Sequence, residues 1–214
     1  MVGKPRADHL LAAQIAVLRH MDIRGDDVCS ITMKEIYATA HLAKSTFEQN
    51  FVNLDDVLKA TKQQIIEGLE TALSLVSKEP LSMKQGLFLA FRWLYVPERR
   101  TPVELAVRRF NIDFWKTALV PIKRIMERAF DRYAPATVQW KYEEFCAMFL
   151  QVLRAWLKEE MKSSLLEEYL NYLLYTVSTL NDKYIEYMDE YGKQRTIYNQ
   201  LNAEFYLNRI EEKT

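Results

Sequence analysis

The sequence predicts an all-α protein, with an N-terminal three-helix helix-turn-helix domain at 1–53 and a larger helical domain at 54–214. Three observations carry this expectation. Helix breakers are scarce: five Gly and six Pro in 214 residues, below the usual share of each. Apolar residues recur at helical rather than alternating spacing, and no segment reads as a strand. The first quarter of the chain holds, in order, one helix of ordinary length, two short ones and the start of a long one, with helix signals at the junctions.

The first helix is expected over about Asp8–Met21, with Leu11, Ile15 and Leu18 on one stripe and Gly25 beyond its end. Thr32-Met33-Lys34-Glu35 reads as a capping box, in which the Thr and Glu side chains each satisfy a free backbone N–H of the other's segment. The short helix it opens should bury Met33, Ile36, Tyr37 and Ala40. After Ala40-His41-Leu42-Ala43 a third helix runs to about Phe51, with Phe47 and Phe51 on one face. Asn53 with Asp56 caps a long fourth helix, whose stripe is Leu54, Leu58, Ile65, Leu69, Leu73 and Val76. Further helices are expected near 81–95, through 102–131 with a break around Pro121, and over about 136–160 and 163–191, before a last amphipathic piece at Ile197, Leu201 and Phe205.

Composition excludes several classes of function. No run approaches the roughly 20 apolar residues that cross a bilayer, and the N-terminus has no signal-peptide core, so a soluble cytoplasmic protein with no membrane partner is expected. Cys29 and Cys146 belong to no CxxC pair and read as two buried thiols. His9, His20 and His41 have no metal-ligand spacing, so neither a metal nor another cofactor is expected. No Ser/His/Asp or Cys/His grouping and no Gly-rich phosphate loop points to an enzyme. Net charge is zero but unevenly spread: residues 98–132 carry +4, 159–191 carry −6 and 1–59 carry −1.

A capped short helix, a tight turn and a second short helix leading into a long one is the plan of a helix-turn-helix. The second short helix must then be exposed on one face and narrow enough to enter a major groove of double-stranded DNA. Lys44, Ser45, Glu48, Gln49 and Asn50 lie off its apolar face, and Thr46 lies between the faces. Gln and Asn can read adenine, while Lys, Ser and Thr can hold phosphates. Lys4 and Arg6 would aid from the N-terminus. A solvated helix face is the alternative reading of the same residues.

The segment from Ile36 to Phe51 resembles the DNA-binding signature of the tetracycline-repressor (TetR) family, which runs approximately I-A-x-x-A-G-V-S-x-x-T-L/F-Y-x-H/Y-F. Ile36, Ala40, Thr46, Phe47 and Phe51 match it, as do the acids and apolar pair of Asp55-Asp56-Val57-Leu58. The resemblance implies a ligand-responsive transcriptional regulator, most often a repressor, acting as a homodimer on a DNA operator. It also implies that the C-terminal domain binds a small effector and dimerises. An apolar effector would then meet aromatics of the central segment and the following helix: Phe88, Phe91, Phe114, Trp115, Phe145 and Phe149, with Trp93, Tyr95 and Phe110 nearby in sequence. Arg99, Arg100, Arg108 and Arg109 could hold an anionic group, or form a solvated face with local salt bridges. The breadth of apolar surface on 136–160 and 163–191 places the dimer there, with Phe149, Val152, Trp156, Leu170 and Leu174 near its centre.

Departures from the family pattern fall on the DNA side. His41 stands where the turn favours Gly, and Ala43 replaces the customary Ser cap. Glu48 replaces a Tyr, Asn50 a His or Tyr, and Leu54 a Lys, so positions that usually meet the DNA backbone carry no base. Glu48 can pair with Lys44, read a cytosine amine, or simply repel phosphates. A degenerate TetR-like dimer that senses a ligand or partner, with weak or no DNA binding, is the alternative function.

Overall fold

The structure is a computed structural model and describes residues 6–25, 30–74, 82–131, 133–158 and 166–178. All regular structure among the described residues is helical: α1 (Ala7–Arg24), α2 (Met33–Thr39), α3 (Lys44–Asn50), α4 (Leu54–Ser74), α5 (Met83–Tyr95), a single 3-10 turn (Pro97–Arg99), α6 (Arg100–Arg109), α7 (Ile112–Ala118), α8 (Val120–Ala129), α9 (Pro135–Lys158) and α10 (Leu166–Ser178). The all-α expectation therefore holds. Val76, Cys29, Lys4 and the piece carrying Ile197, Leu201 and Phe205 lie outside the described residues.

The described residues form two compact units. The first takes in α1–α4, residues 89–95 of α5, the 3-10 turn, α6 and α7; the second takes in residues 82–88, α8 from Ile122, α9 and α10. The boundary drawn in the sequence at 53/54 falls inside the first unit.

In the first unit α1 packs on α2, α4 and α6, while α4 also packs on α6 and α7. The buried stripe of α1 is Leu10, Ala13, Gln14, Val17 and Met21. This corrects the expected phase: Leu11 is exposed and Ile15 only half-buried, although Leu18 is buried. A polar residue inside the stripe hid it. Gln14 is fully buried, and its Nε2 donates to two side chains of α4, Thr61 Oγ1 at 3.0 Å and Gln64 Oε1 at 2.9 Å. The α4 stripe is as expected at Leu58, Ile65, Leu69 and Leu73, with Thr61 added.

Gly68 of α4 lies against the indole of Trp93. A Cβ at that position would lie 1.8 Å from the ring of Trp93, so only glycine lets the indole rest against the helix. Arg99 holds the indole there, its guanidinium 4.5 Å above the ring and Nη1 donating to the Trp93 carbonyl at 2.8 Å. Arg108 reaches Asp22 of α1 at 2.5 Å and Glu104 at 3.8 Å. Local pairing thus engages two of the four arginines considered for an anionic ligand.

The expected break around Pro121 lies at Leu119, between α7 and α8, and a second break at residues 110–111 was not foreseen. Helix α6 ends at Arg109 with Phe110 as its C-cap, and Asn111 caps α7 through the Phe114 N–H. Pro121 is the second residue of α8, where its missing N–H has no helical partner to lose.

In the second unit α9 packs on α10 and buries Val138, Tyr142, Phe145, Cys146, Phe149, Leu150, Val152, Leu153 and Trp156. Leu170, Leu173 and Leu174 of α10 are buried as well. The five residues expected at the centre of a dimer are therefore already covered within one chain. The exposed aromatics of this unit's helix pair are Trp140, Tyr172 and Tyr175. Cys146 is a buried thiol beside Tyr142, whose hydroxyl burial pushes well above the usual tyrosine range.

Candidate nucleic-acid interface

Helix α2 starts with the capping box foreseen in the sequence. The Glu35 N–H donates to Thr32 Oγ1 at 3.3 Å, and the Thr32 N–H donates to Glu35 Oε2 at 2.8 Å. Arg24 of α1 forms an ion pair with Glu35 and donates to the Ser30 carbonyl at 3.1 Å. That guanidinium, with the Thr32 backbone and hydroxyl donors, lowers the Glu35 carboxyl from 4.5 to about 2. His20 Nε2 meets Thr39 Oγ1 at 2.9 Å at the far end of α2. Only Ile36 of this helix is buried; Met33, Tyr37 and Ala40 are half-buried.

Four residues, 40–43, connect α2 to α3. The Leu42 N–H donates to the Tyr37 carbonyl at 3.1 Å and the His41 N–H to the Ala38 carbonyl at 3.2 Å. These two bonds make a Schellman cap, which needs a left-handed residue at its hinge. His41 takes that place with φ 54°, where the sequence had flagged a position that favours glycine.

Helix α3 begins at Ala43, which has the extended backbone of an N-cap and no side-chain hydrogen bond. Phe47 is its buried anchor, and Phe51 follows it into the core at a ring separation of 5.1 Å. The opposite face is open: Lys44, Ser45, Glu48 and Gln49 are exposed, and spacing i, i+1, i+4, i+5 puts them side by side. Thr46 is half-buried. Lys44 Nζ lies 3.6 Å from Glu48 Oε1, the i, i+4 pair considered in the sequence. This exposed face thus holds one base and one acid in contact, with no net charge.

Asn50 departs from its expected role. Its Nδ2 donates to the Thr46 carbonyl at 2.7 Å and reaches His9 Nδ1 of α1 at 3.2 Å. Sequence reasoning missed this because the two residues are 41 positions apart and the expected α1 stripe pointed elsewhere. At the exit, Asp56 N–H donates to Asn53 Oδ1 at 3.0 Å while its carboxylate accepts from the Val52 N–H at 2.8 Å, so α4 is capped as expected. Arg6 is exposed and pairs with Asp8 at 3.2 Å.

The six aromatics expected around an effector divide between the units. Phe91, Phe114 and Trp115 are buried in the first, where Phe114 and Trp115 meet edge to face at 5.2 Å. Phe145 and Phe149 are buried in the second at 5.8 Å, and Phe88 is half-buried there.

No protein-family profile, curated protein or solved structure matches the chain. Among the described residues no helix is long and apolar enough to cross a membrane, and no group of His, Cys, Asp or Glu could hold a metal ion.

Proposed function

We propose that the chain is a ligand-responsive transcriptional regulator of TetR type, acting as a homodimer that reads double-stranded DNA through α3. The observation that carries this reading is the α2–turn–α3 unit. It combines a Schellman turn hinged on left-handed His41, a short helix anchored by Phe47, and an open face of Lys44, Ser45, Glu48 and Gln49. A helix of this size, bare on one side, packed on α2 and tied to α1 through Asn50, suits a major groove. Gln49 is the base reader of this face, with Lys44, Ser45 and Thr46 toward phosphates. Repression relieved by a small, largely apolar effector follows from the resemblance, and the buried aromatics supply the matching chemistry.

Titrating the duplex upstream of the protein's own gene against a shuffled duplex at low salt tests this reading. Tighter binding to the upstream duplex, weakened by Lys44→Ala with Gln49→Ala, is expected. Equal binding to both, unchanged by those substitutions, overturns it.

A second reading, a degenerate dimer that senses a ligand or partner without strong DNA binding, is favoured by one specific observation. The Lys44 charge is engaged by Glu48, and the Asn50 amide is turned inward, which leaves this face little to offer a phosphate backbone.

A further inference from the structure

Helix α3 is only seven residues long and has no side-chain cap at its start, so its own hydrogen bonds cannot hold it in place. Phe47 anchors its middle. At its C-terminal end Phe51 enters the core, and a polar contact between Asn50 and His9 adds a second tie there, to α1.

The geometry determines which atom gives the proton. Asn50 Nδ2 donates to the Thr46 carbonyl at 2.7 Å, and exchanging the amide nitrogen and oxygen would set two acceptors against each other there. The amide orientation is thereby fixed, and its second N–H faces His9 Nδ1 at 3.2 Å. Nδ1 must accept, which places the imidazole proton on Nε2. We propose that His9 is a positioning residue for α3: its neutral imidazole ties the end of the helix to α1, and a proton on Nδ1 releases it. An imidazolium has no acceptor, so protonation would set one N–H against another. Histidine as a residue type changes charge between about pH 5 and 8, and that is the range in which the tie is tested. That α3 is the DNA-reading helix rests on the function proposed above; that His9 holds it does not.

Among the charged groups near His9, the Asp8 carboxylate interacts with both Arg6 and the imidazole. On α1 Arg6 and Asp8 pair with each other, and on α3 Lys44 pairs with Glu48. Asp56 at the start of α4 accepts from Val52, beside exposed Asp55. Glu35 of α2 and Arg108 of α6 are engaged with Arg24 and Asp22, toward the other end of α1. His20 supplies an internal contrast. Its Nε2 faces the Thr39 hydroxyl at 2.9 Å and the Glu35 carbonyl at 3.4 Å, and a hydroxyl can accept or donate. His20 tolerates either protonation state; His9 does not.

Hydrogen exchange of the full chain without DNA tests this, with amide protection over 44–51 compared at about pH 8 and about pH 5.5 after correction for intrinsic rates. Wild type is expected to lose about fivefold protection at the lower pH, the equivalent of one hydrogen bond. His9→Gln keeps an uncharged acceptor and should hold the higher protection at both pH values, while His20→Gln should retain the wild-type pH dependence. A flat wild-type profile overturns the proposal, as does the same fall in His9→Gln. An imidazole nitrogen spectrum of the wild type adds a test that needs no variant: at neutral pH His9 Nδ1 should be the bare nitrogen, and a proton found there overturns the assignment. Should exchange behave as stated while the upstream duplex binds no better than the shuffled one, the DNA reading fails and the positioning role stands.

Discussion

His41 is the residue on which the α2–α3 turn hinges. A side chain in the left-handed region costs about 1–2 kcal/mol, and a β-branched residue fits there worst. His41→Gly should raise stability by about 0.5–1 kcal/mol, because relief of that cost exceeds the extra freedom glycine gives the unfolded chain. His41→Val should lower it by more than about 1 kcal/mol. Both shifts are read from the urea midpoint. Two residues on, Ala43 has an N-cap backbone without an N-cap side chain, so Ala43→Ser should add about 0.5–2 kcal/mol by the same measurement. Both positions stood out in the sequence as departures from the family pattern that the segment resembles. The role of Asn50 was not legible there, because what its amide does is decided by His9 from another helix.

At the scale of elements, the helices were legible wherever local signals begin or end them, as the boxes at Thr32 and Asn53 do. The Glu35 carboxyl also gives α2 a pH signature. Its ordinary value of 4.5 is lowered to about 2 in the folded chain, so the charged form is favoured by folding. Its contribution is present above about pH 4.5 and is lost as pH falls toward 2. Between those values wild type should lose stability more steeply than Glu35→Gln, which keeps the cap hydrogen bonds without the charge; parallel acid-unfolding curves would contradict this. Packing between elements was less legible. The α1 stripe was misplaced because Gln14 breaks the apolar pattern, and its burial makes sense only once Thr61 and Gln64 face it. The contact of Gly68 with Trp93 has no sequence signal either. Gly68→Ala gains helix propensity of about 1 kcal/mol but overpacks the indole, so a net loss of up to about 2 kcal/mol is expected from thermal or urea unfolding.

For the whole molecule, the all-α class followed from breaker scarcity and apolar period. The grouping of helices into two compact units did not, since it depends on which chain segments return to which core. The candidate site was legible as a face and less so as a set of contacts: four of its six residues are exposed together, Thr46 is half-buried, and Asn50 points back to α1. That α3 meets DNA is the claim on which the proposed function depends, and the Lys44–Glu48 pair gives a direct way to test it. The measurement is the affinity for the upstream duplex of wild type and Glu48→Gln across a salt series. Removing the acid frees Lys44 for a phosphate, so Glu48→Gln should bind more tightly at low salt and its log–log salt slope should steepen by about 0.9 for each protomer engaged. Affinity and slope identical to wild type at every salt concentration would place α3 away from the DNA and contradict the account.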